Sequence, residues 1–335
     1  MMNKIEQIQL QQLHTFRLKA IGNCCYILEN REQIAELASL EDYLVLGAGS
    51  NTVFCGDFAG TLVKVELSGV EYTEQDDAWI IKAAAGTHWH SLVEATLAKG
   101  IYGFENLALI PGTVGAAPVQ NIGAYGSEVA DFIESVEVWD RYTKVVTHLT
   151  KSDCLFAYRE SIFKQEPNHW VILSVTFKLP KQWQAMVDYG ELRELGCEAS
   201  AQQIFQKVVA VRQLKLPDPA QQPNAGSFFK NPEVDLQQME WLRDKFPGIP
   251  CYPIAADRYK VAAGWMIDYL GWKGRAIGGV SVHDRQALVL VNTNQATGTD
   301  LIELARTIKL AVVTTFKVEL EAEVRIYANG ALVSI

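Results

Sequence analysis

A few short segments of this chain carry residues able to do chemistry. Gly47-Ala48-Gly49-Ser50-Asn51 is a G-x-G turn behind an apolar run. Such a turn lets main-chain N–H groups approach a phosphate closely. A plain tight turn would look the same. It is no dinucleotide fingerprint of the Rossmann kind, because Thr52 stands where a third glycine belongs and Val53-Phe54 resumes β character instead of opening a helix. The stretch from Ile110 to Gly126 packs four glycines and two prolines into one run without a lysine, so it is not a Walker loop. Its neutral donors suit a diphosphate held by main-chain hydrogen bonds, with the amides of Gln120 and Asn121 as further candidates. A long structural loop is the alternative, although such loops in compact domains are uncommon unless functional.

Three further segments add side-chain chemistry. Arg159 sits between aromatics in Tyr158-Arg159-Glu160-Ser161-Ile162-Phe163. A guanidinium so placed can grip a carboxylate bidentately, or merely snorkel at a surface. Asn224 to Pro232 presents Ser227, Lys230 and Asn231 in a small glycine-containing turn. No G-x-S-x-G elbow and no evident Asp/His pair accompany Ser227, so it is a candidate proton donor rather than an acyl nucleophile. A structural turn explains the segment equally. Glu323 and Arg325 lie two apart on a strand, on one face roughly 7 Å from each other, which is also how a bland surface pair looks. Arg212, Lys215, Lys230, Arg258, Lys260, Lys273 and Arg275 cluster basic charge in an acidic chain. Gathered at a cleft, they would suit an anionic small ligand such as a nucleotide sugar diphosphate; scattered, they would be solvated charges.

The elements that must position these residues read as mixed α and β. Asp42–Leu46 is a short buried strand, Val63, Val65 and Leu67 alternate, and Trp79–Ala84, Val136–Trp139, Val171–Leu179 and Ala287–Val291 continue the β character. His90–Lys99, Ala262–Leu270 and Leu301–Phe316 have helical spacing. Val318 to Tyr327 alternates as one final strand, with Val318, Leu320, Ala322, Val324 and Ile326 on one side. Pro217, Pro219 and Pro223 mark a domain boundary. The class is α+β with at least two domains.

Composition narrows the function. With 335 residues the chain has room for about two domains. Thirty Lys and Arg against thirty-nine Asp and Glu leave a net charge of -9, which disfavours nucleic acid and anionic membrane surfaces as partners. The six cysteines form no C-x-x-C and no zinc set, so no metal is expected and scattered thiols suit a reducing cytosol. Met1–Gln12 is polar and lacks the apolar core of a secretory signal, and no apolar run nears the ~18 residues of a spanning helix. A cytoplasmic protein is expected.

Taken in order, Pro111-Gly112, Gln120 to Gly126, Tyr158-Arg159, Gly226 to Pro232 and Glu323-Val324-Arg325 make the chain, over nearly its whole length, similar to the UDP-N-acetylenolpyruvoylglucosamine reductases (UDP-N-acetylmuramate dehydrogenases). The resemblance implies an FAD-binding fold of the vanillyl-alcohol oxidase type, two α+β subdomains at 1–67 and 68–213, and a separate α+β substrate domain at 214–317. Residues 318–335 would return to the flavin region. Lys181 to Leu195 looks like the insertion of the type I branch, whose tyrosine, matched by Tyr189, closes over substrate.

The same resemblance implies noncovalent FAD, NADPH as hydride donor, UDP-N-acetylglucosamine enolpyruvate as substrate and a monomer. It gives catalytic roles to Arg159, Ser227 and Glu323. Flavin contacts fall to Gly47, Ala48, Gly49, Ser50, Asn51, Ile110, Pro111, Gly112, Gly115, Ala116, Gln120, Asn121, Gly123, Ala124 and Arg325. Substrate contacts fall to Tyr125, Tyr189, Arg212, Lys215, Asn231, Tyr252 and Lys260. Ala116-Ala117 stand where members can carry serines, and Ala48 where an acidic residue can occur, so these positions offer the flavin backbone donors but no polar side chain. Another FAD oxidoreductase of the same fold and a non-enzymatic nucleotide-binding module are the rival readings.

Overall fold

The computed structural model describes residues 1–293 and 295–335. The chain divides into two compact units. The first holds Met1–Glu6, Cys24–Ala48 and Gly60–Leu214; the second holds Gln7–Asn23, Gly49–Ala59 and Lys215–Ile335. The chain leaves the first unit just ahead of the proline-marked break. The second unit also takes two early segments, a division that local composition does not announce.

The first unit is organised by a five-stranded antiparallel sheet in the order Val145–Thr150, Ile133–Asp140, Trp170–Pro180, Ala78–Ala84, Val70–Glu74. Its central strand is buried without interruption from Val171 to Val175, because both faces are covered there, and alternates only beyond Val175. Helix Trp89–Ala98 anchors its first turn with Trp89, whose ring meets Phe104 and Phe177 and whose Nε1–H donates to the Leu107 carbonyl at 2.9 Å. Glu137, a buried carboxylate on this sheet, accepts two hydrogen bonds from Arg31 (2.8 and 2.6 Å) and one from Ser174 (2.7 Å). The Arg31 guanidinium holds its pKa down at about 2 despite burial. A parallel pair, Tyr43–Leu46 on Phe58–Val65, ends at Gly47.

In the second unit, helix Gly298–Phe316 buries Leu301, Leu304, Ala305, Ile308, Val312 and Phe316, one helical stripe. Thr297 and Asp300 close its start as a reciprocal capping box. Among the described residues three small sheets accompany it: Asn224–Ser227, Val289–Asn292, Val280–Val282 and Ala276–Ile277; Glu233–Asp235, Arg258–Val261 and Cys251–Ala255; and Ala331–Val333, Arg325–Ala328 and Thr52–Phe54. The long final strand expected over 318–327 is corrected here. Val318, Leu320, Val324 and Ile326 are buried as the alternation requires, yet ladder pairing covers only Arg325–Ala328, preceded by a single bridge from Ala322 to Phe229. Period-two burial needs an extended chain on a core, not a partner strand along its length.

His14 is 3% exposed, with the Phe54 ring edge-on at 5.7 Å. Burial pushes its pKa down to about 4. The unfolded chain therefore binds a proton below about 6.5 that the folded chain refuses until about 4. The stability associated with neutral His14 is complete above pH 6.5 and is lost as pH falls toward 4, a difference of about 3 kcal/mol. Denaturant titrations of wild type and His14→Asn from pH 7 to pH 4 should diverge by about that amount, the wild type being the steeper. Parallel curves would show that His14 does not titrate in this way.

Candidate active site

Strand Tyr43–Leu46 delivers Gly47 against the glycine-rich loop of the first unit. A Cβ on Gly47 would stand 2.9 Å from Thr113 Oγ1 and 3.7 Å from the Ala116 methyl, so the Gly47 backbone lies against the side chains of the second glycine segment. In the second unit, Gly49 has φ +65°, and a Cβ there would lie 1.9 Å from the Leu13 carbonyl oxygen. Only glycine permits both the left-handed backbone and that approach. The Gly49 carbonyl accepts the Thr15 N–H at 3.1 Å. Asn51 next ties the turn to the chain's last strands. Its carbonyl accepts the Arg325 N–H at 3.0 Å, its Nδ2 donates to the Glu323 carbonyl at 3.1 Å, and Thr52 pairs with Arg325 in parallel register. Ser50, Asn51, Glu323 and Arg325 are thus brought together, though far apart in sequence.

The loop from Ile110 to Gly126 is fastened by its own backbone. Val114 N–H donates to Thr87 O and Gly115 N–H to Ala85 O, both at 2.8 Å, while Gly112 O accepts the Trp89 N–H at 3.0 Å. Gly115 allows this, since a Cβ would fall 2.6 Å from the Ala85 methyl. Asn121 and Tyr125 adopt φ of +44° and +50°, strained for side-chain-bearing residues. The Asn121 amide, expected to reach a ligand, is hydrogen-bonded to residues beyond the loop. Its oxygen accepts Ala130 N–H at 3.0 Å, and its nitrogen donates to Glu128 at 2.6 Å and Ala157 O at 3.2 Å, with the residue 1% exposed. Ala117 is a core residue, so a serine hydroxyl at that position would face the core and not a flavin, while Ala116 is half-buried beside Gly47. Ala48, Ile110, Gln120, Gly123 and Ala124 are half-buried along the same two segments, with Pro111 exposed and Gly112 buried. Thr113, whose hydroxyl abuts Gly47, carries no signal in the sequence that would single it out.

Arg159 is bound to this loop. Its Nη2 donates to Gly123 O at 3.0 Å and its Nη1 to Asn121 O at 3.4 Å, and its own backbone is left-handed at φ +54°. Arg212 comes from helix Ala201–Lys215, an element absent from the sequence reading although Ala201, Ile204, Val208 and Val211 have helical spacing. Its Nη2 donates to Leu109 O at 3.3 Å, while its Nε is buried with no hydrogen-bond partner. Burial first, and then the Arg159 charge, lower its pKa; the Tyr125 phenol acts in the opposite sense. Arg212 thus carries a buried donor with no hydrogen-bond partner in the first unit. Tyr189, 55% exposed, sets its ring perpendicular to Tyr125 at 6.3 Å.

In the second unit the Ser227 turn faces the segment carrying Glu323. Glu323 N–H donates to Phe228 O at 2.8 Å, Lys230 N–H to Glu321 O at 3.1 Å, and Lys230 Nζ pairs with the Glu321 carboxylate. Gly226, at φ +72°, turns the chain so that Ser227 is half-buried while Phe228 and Phe229 enter the core. The Asn231 side-chain oxygen accepts Ala263 N–H at 2.9 Å, starting helix Ala263–Tyr269, and leaves the amide hydrogens for other partners. Tyr252 and Lys260 lie directly opposite each other across two paired strands, and Lys215 is exposed at its helix end.

Comparison with known proteins decides the family. The FAD binding domain model matches residues 29–148, a span that contains both glycine segments, and the model for the C-terminal domain of UDP-N-acetylenolpyruvoylglucosamine reductase matches 218–327. A protein of Idiomarina loihiensis with that reductase name is 47% identical over 98% of each chain. One from Paraburkholderia phytofirmans is 51% identical over 94% of this chain and 95% of its own. The chain belongs to the UDP-N-acetylenolpyruvoylglucosamine reductase family. A crystal structure of the Thermus caldophilus reductase superposes with a TM-score of 0.68, covering 98% of this chain and 99% of that one at 23% identity, which establishes the shared fold. The α+β FAD-binding domain followed by a separate α+β domain, expected from sequence, is what the chain has.

The residues present fit an FAD. In the first unit Gly47, Ala48 and residues 110–126 carry no carboxylate side chain, and Gly47 and Gly115 let the backbone approach Thr113 and Ala85 closely; in the second unit Gly49, Ser50 and Asn51 carry none either. Gly49→Ala should therefore yield protein with most of its flavin lost and a lowered Tm, since the left-handed backbone alone costs about 1–2 kcal/mol. Gly330→Ala is the control. Its φ is +79°, but nothing lies within 4 Å of the added Cβ, so flavin absorbance per protein should stay at the wild-type value.

Proposed function

We propose that this protein reduces the enolpyruvyl ether of UDP-N-acetylglucosamine to UDP-N-acetylmuramate in the cytoplasm, as a monomer, with NADPH as hydride donor and noncovalent FAD. The observation that carries this reading is the end-to-end kinship with proteins bearing that reductase name, 47% identical along 98% of both chains. Among the described residues no helix is long and apolar enough to cross a membrane.

Bound FAD supplies the hydride transfer; the chain supplies binding, orientation and protons. Main-chain groups of 47–51 and 110–126 hold the flavin's diphosphate, with Arg325 beside the first turn. Arg212, desolvated and next to Arg159, takes the substrate's anionic groups, assisted by Lys215, Asn231, Tyr252 and Lys260. Hydride arriving at the vinyl carbon leaves negative charge on the enolpyruvyl group. Arg159 steadies that charge at the carboxylate. Glu323, if ionised, would repel it, so its work is as a neutral acid or as the acceptor that orients a donor. Ser227 protonates the adjacent carbon, and a hydroxyl of such high pKa must be resupplied by water or a neighbour. Tyr189 folds over the substrate and excludes water.

The purified protein should be yellow, release all its flavin on acid precipitation, bleach with NADPH under anaerobic conditions and recover its colour on addition of UDP-N-acetylglucosamine enolpyruvate. Ser227→Ala separates the halves of this cycle. Bleaching by NADPH should keep its wild-type rate, while recovery slows by ~10²-fold or more, the scale of losing a positioned acid. Ser227→Cys should regain part of the rate, because a thiol is the stronger acid. Stopped-flow absorbance reads both steps, and equal slowing of both, or of neither, would make Ser227 scaffold.

A further inference from the structure

The segment that carries Tyr189 has no regular structure from Lys181 until the short 3-10 turn Gly190–Leu195. Val187 and Leu192 seat it in the core, whereas Met186 and Tyr189 are exposed. Two polar ties hold its root. In the first, Trp183 Nε1–H donates to the Glu105 carboxylate, and the Trp183 ring meets Tyr102 edge-on at 5.6 Å. The other Glu105 oxygen accepts the Gly103 N–H at 2.7 Å. Burial raises the pKa of this carboxyl, and donors from the Gly103 and Glu105 main chain and from Trp183 restrain the rise.

The second tie is Asn106, the next residue, which is 1% exposed. A carboxamide nitrogen has two hydrogens to give. Asn106 gives one to Tyr125 O and the other to Met186 O, both at 2.9 Å. One amide thus joins the end of the glycine-rich loop to the root of the Tyr189 segment. Tyr125 and Tyr189, on the two sides of that joint, are the residues whose rings meet at right angles 6.3 Å apart. Tyr189 lies three residues beyond Met186, a reach of about 10 Å, so the tyrosine can swing while its root stays put.

We propose that Asn106 is a positioning residue for substrate binding: its carboxamide clamps the Met186 and Tyr125 carbonyls together, with Glu105–Trp183 as a second tie, so that Tyr189 closes as a tip on a fixed root. This rests on the reading of Tyr189 as the closing residue. Without the clamp, the root must be ordered anew at each binding event, and that penalty falls on substrate affinity rather than on flavin reduction.

Two variants test it in the flavin-loaded protein. Asn106→Leu keeps the shape and removes both donors; Trp183→Phe keeps an aromatic ring and removes one donor farther from Tyr125. Hydrogen exchange of a peptide covering residues 183–190 should accelerate by about tenfold in Asn106→Leu and about threefold in Trp183→Phe, with sheet peptides unchanged. The KM for UDP-N-acetylglucosamine enolpyruvate should rise by similar factors, while kcat and the rate of bleaching by NADPH stay within about twofold. If Asn106→Leu does not fold, Trp183→Phe carries the test. Unchanged exchange would overturn the clamp, and faster exchange with an unchanged KM would overturn its positioning role. Tyr189→Ala separates this from the underlying reading. If that variant leaves KM unaltered, Tyr189 does not close the site and the functional claim falls, whatever exchange shows; if it raises KM while the Asn106 and Trp183 variants do not, only the clamp fails.

Discussion

Within each unit, the glycine segments depend on main chain approaching its neighbours more closely than a Cβ allows. Gly47 lies on Thr113, Gly49 on Leu13 and Gly115 on Ala85, each at a distance that an added methyl would violate. Ligand-facing backbone needs both a strained path and something rigid to hold it there. The rigidity comes from neighbours already fixed by sheets and helices: the Ala85–Thr87 segment beyond strand Ala78–Ala84, the first turn of helix Trp89–Ala98, and the parallel pairing of Thr52–Phe54 with Arg325–Ala328. The glycines remove obstruction, and regular structure fixes the result.

Charge is deployed on the same plan. The chain carries a net charge of -9, yet Arg159 and Arg212 lie near enough to one another, with Arg212 desolvated, for the Arg212 pKa to fall. Burying a guanidinium near another is unfavourable unless an anion completes the arrangement. The carbonyls of Asn121, Gly123 and Leu109 offset part of that penalty and aim the two groups. Contrast Glu137, whose charge is matched by Arg31 and Lys82 while the Ser174 hydroxyl donates a hydrogen bond to it. A buried charge matched in this way holds a fold.

Much is legible in the sequence, for identifiable reasons. Short-range patterns survive folding: the helix expected over His90–Lys99 forms one residue earlier, and strands Val136–Trp139 and Val171–Leu179 fall inside longer ones. Helix Ala201–Lys215 has a legible spacing, but its polar surroundings dilute the apolar stripe. For the Asn121 side chain, residue type says only that an amide can donate. Whether Ala130, Glu128 and Ala157 already engage it depends on how the loop closes. The alternation of 318–327 foretells burial correctly and pairing only at its end, since hydropathy reports which side faces a core and is silent about neighbours along the chain edge.

The sequence by itself determined the α+β class and, through the order of its motifs, the resemblance that names the family and implies a flavin, because residue types and their order along the chain are written locally. Only tertiary structure decided which of those residues are free to act. It assigned residues 7–23 and 49–59 to the second unit, joined Asn51 to Glu323 across 272 positions of sequence, and tied the Asn121 amide to Glu128 beyond its loop. It also set Asn106 between Tyr125 and Met186. The physical reason is that a hydrogen-bonding group has a fixed number of hydrogens and lone pairs, and which partners take them depends on long-range contacts that the local sequence does not encode.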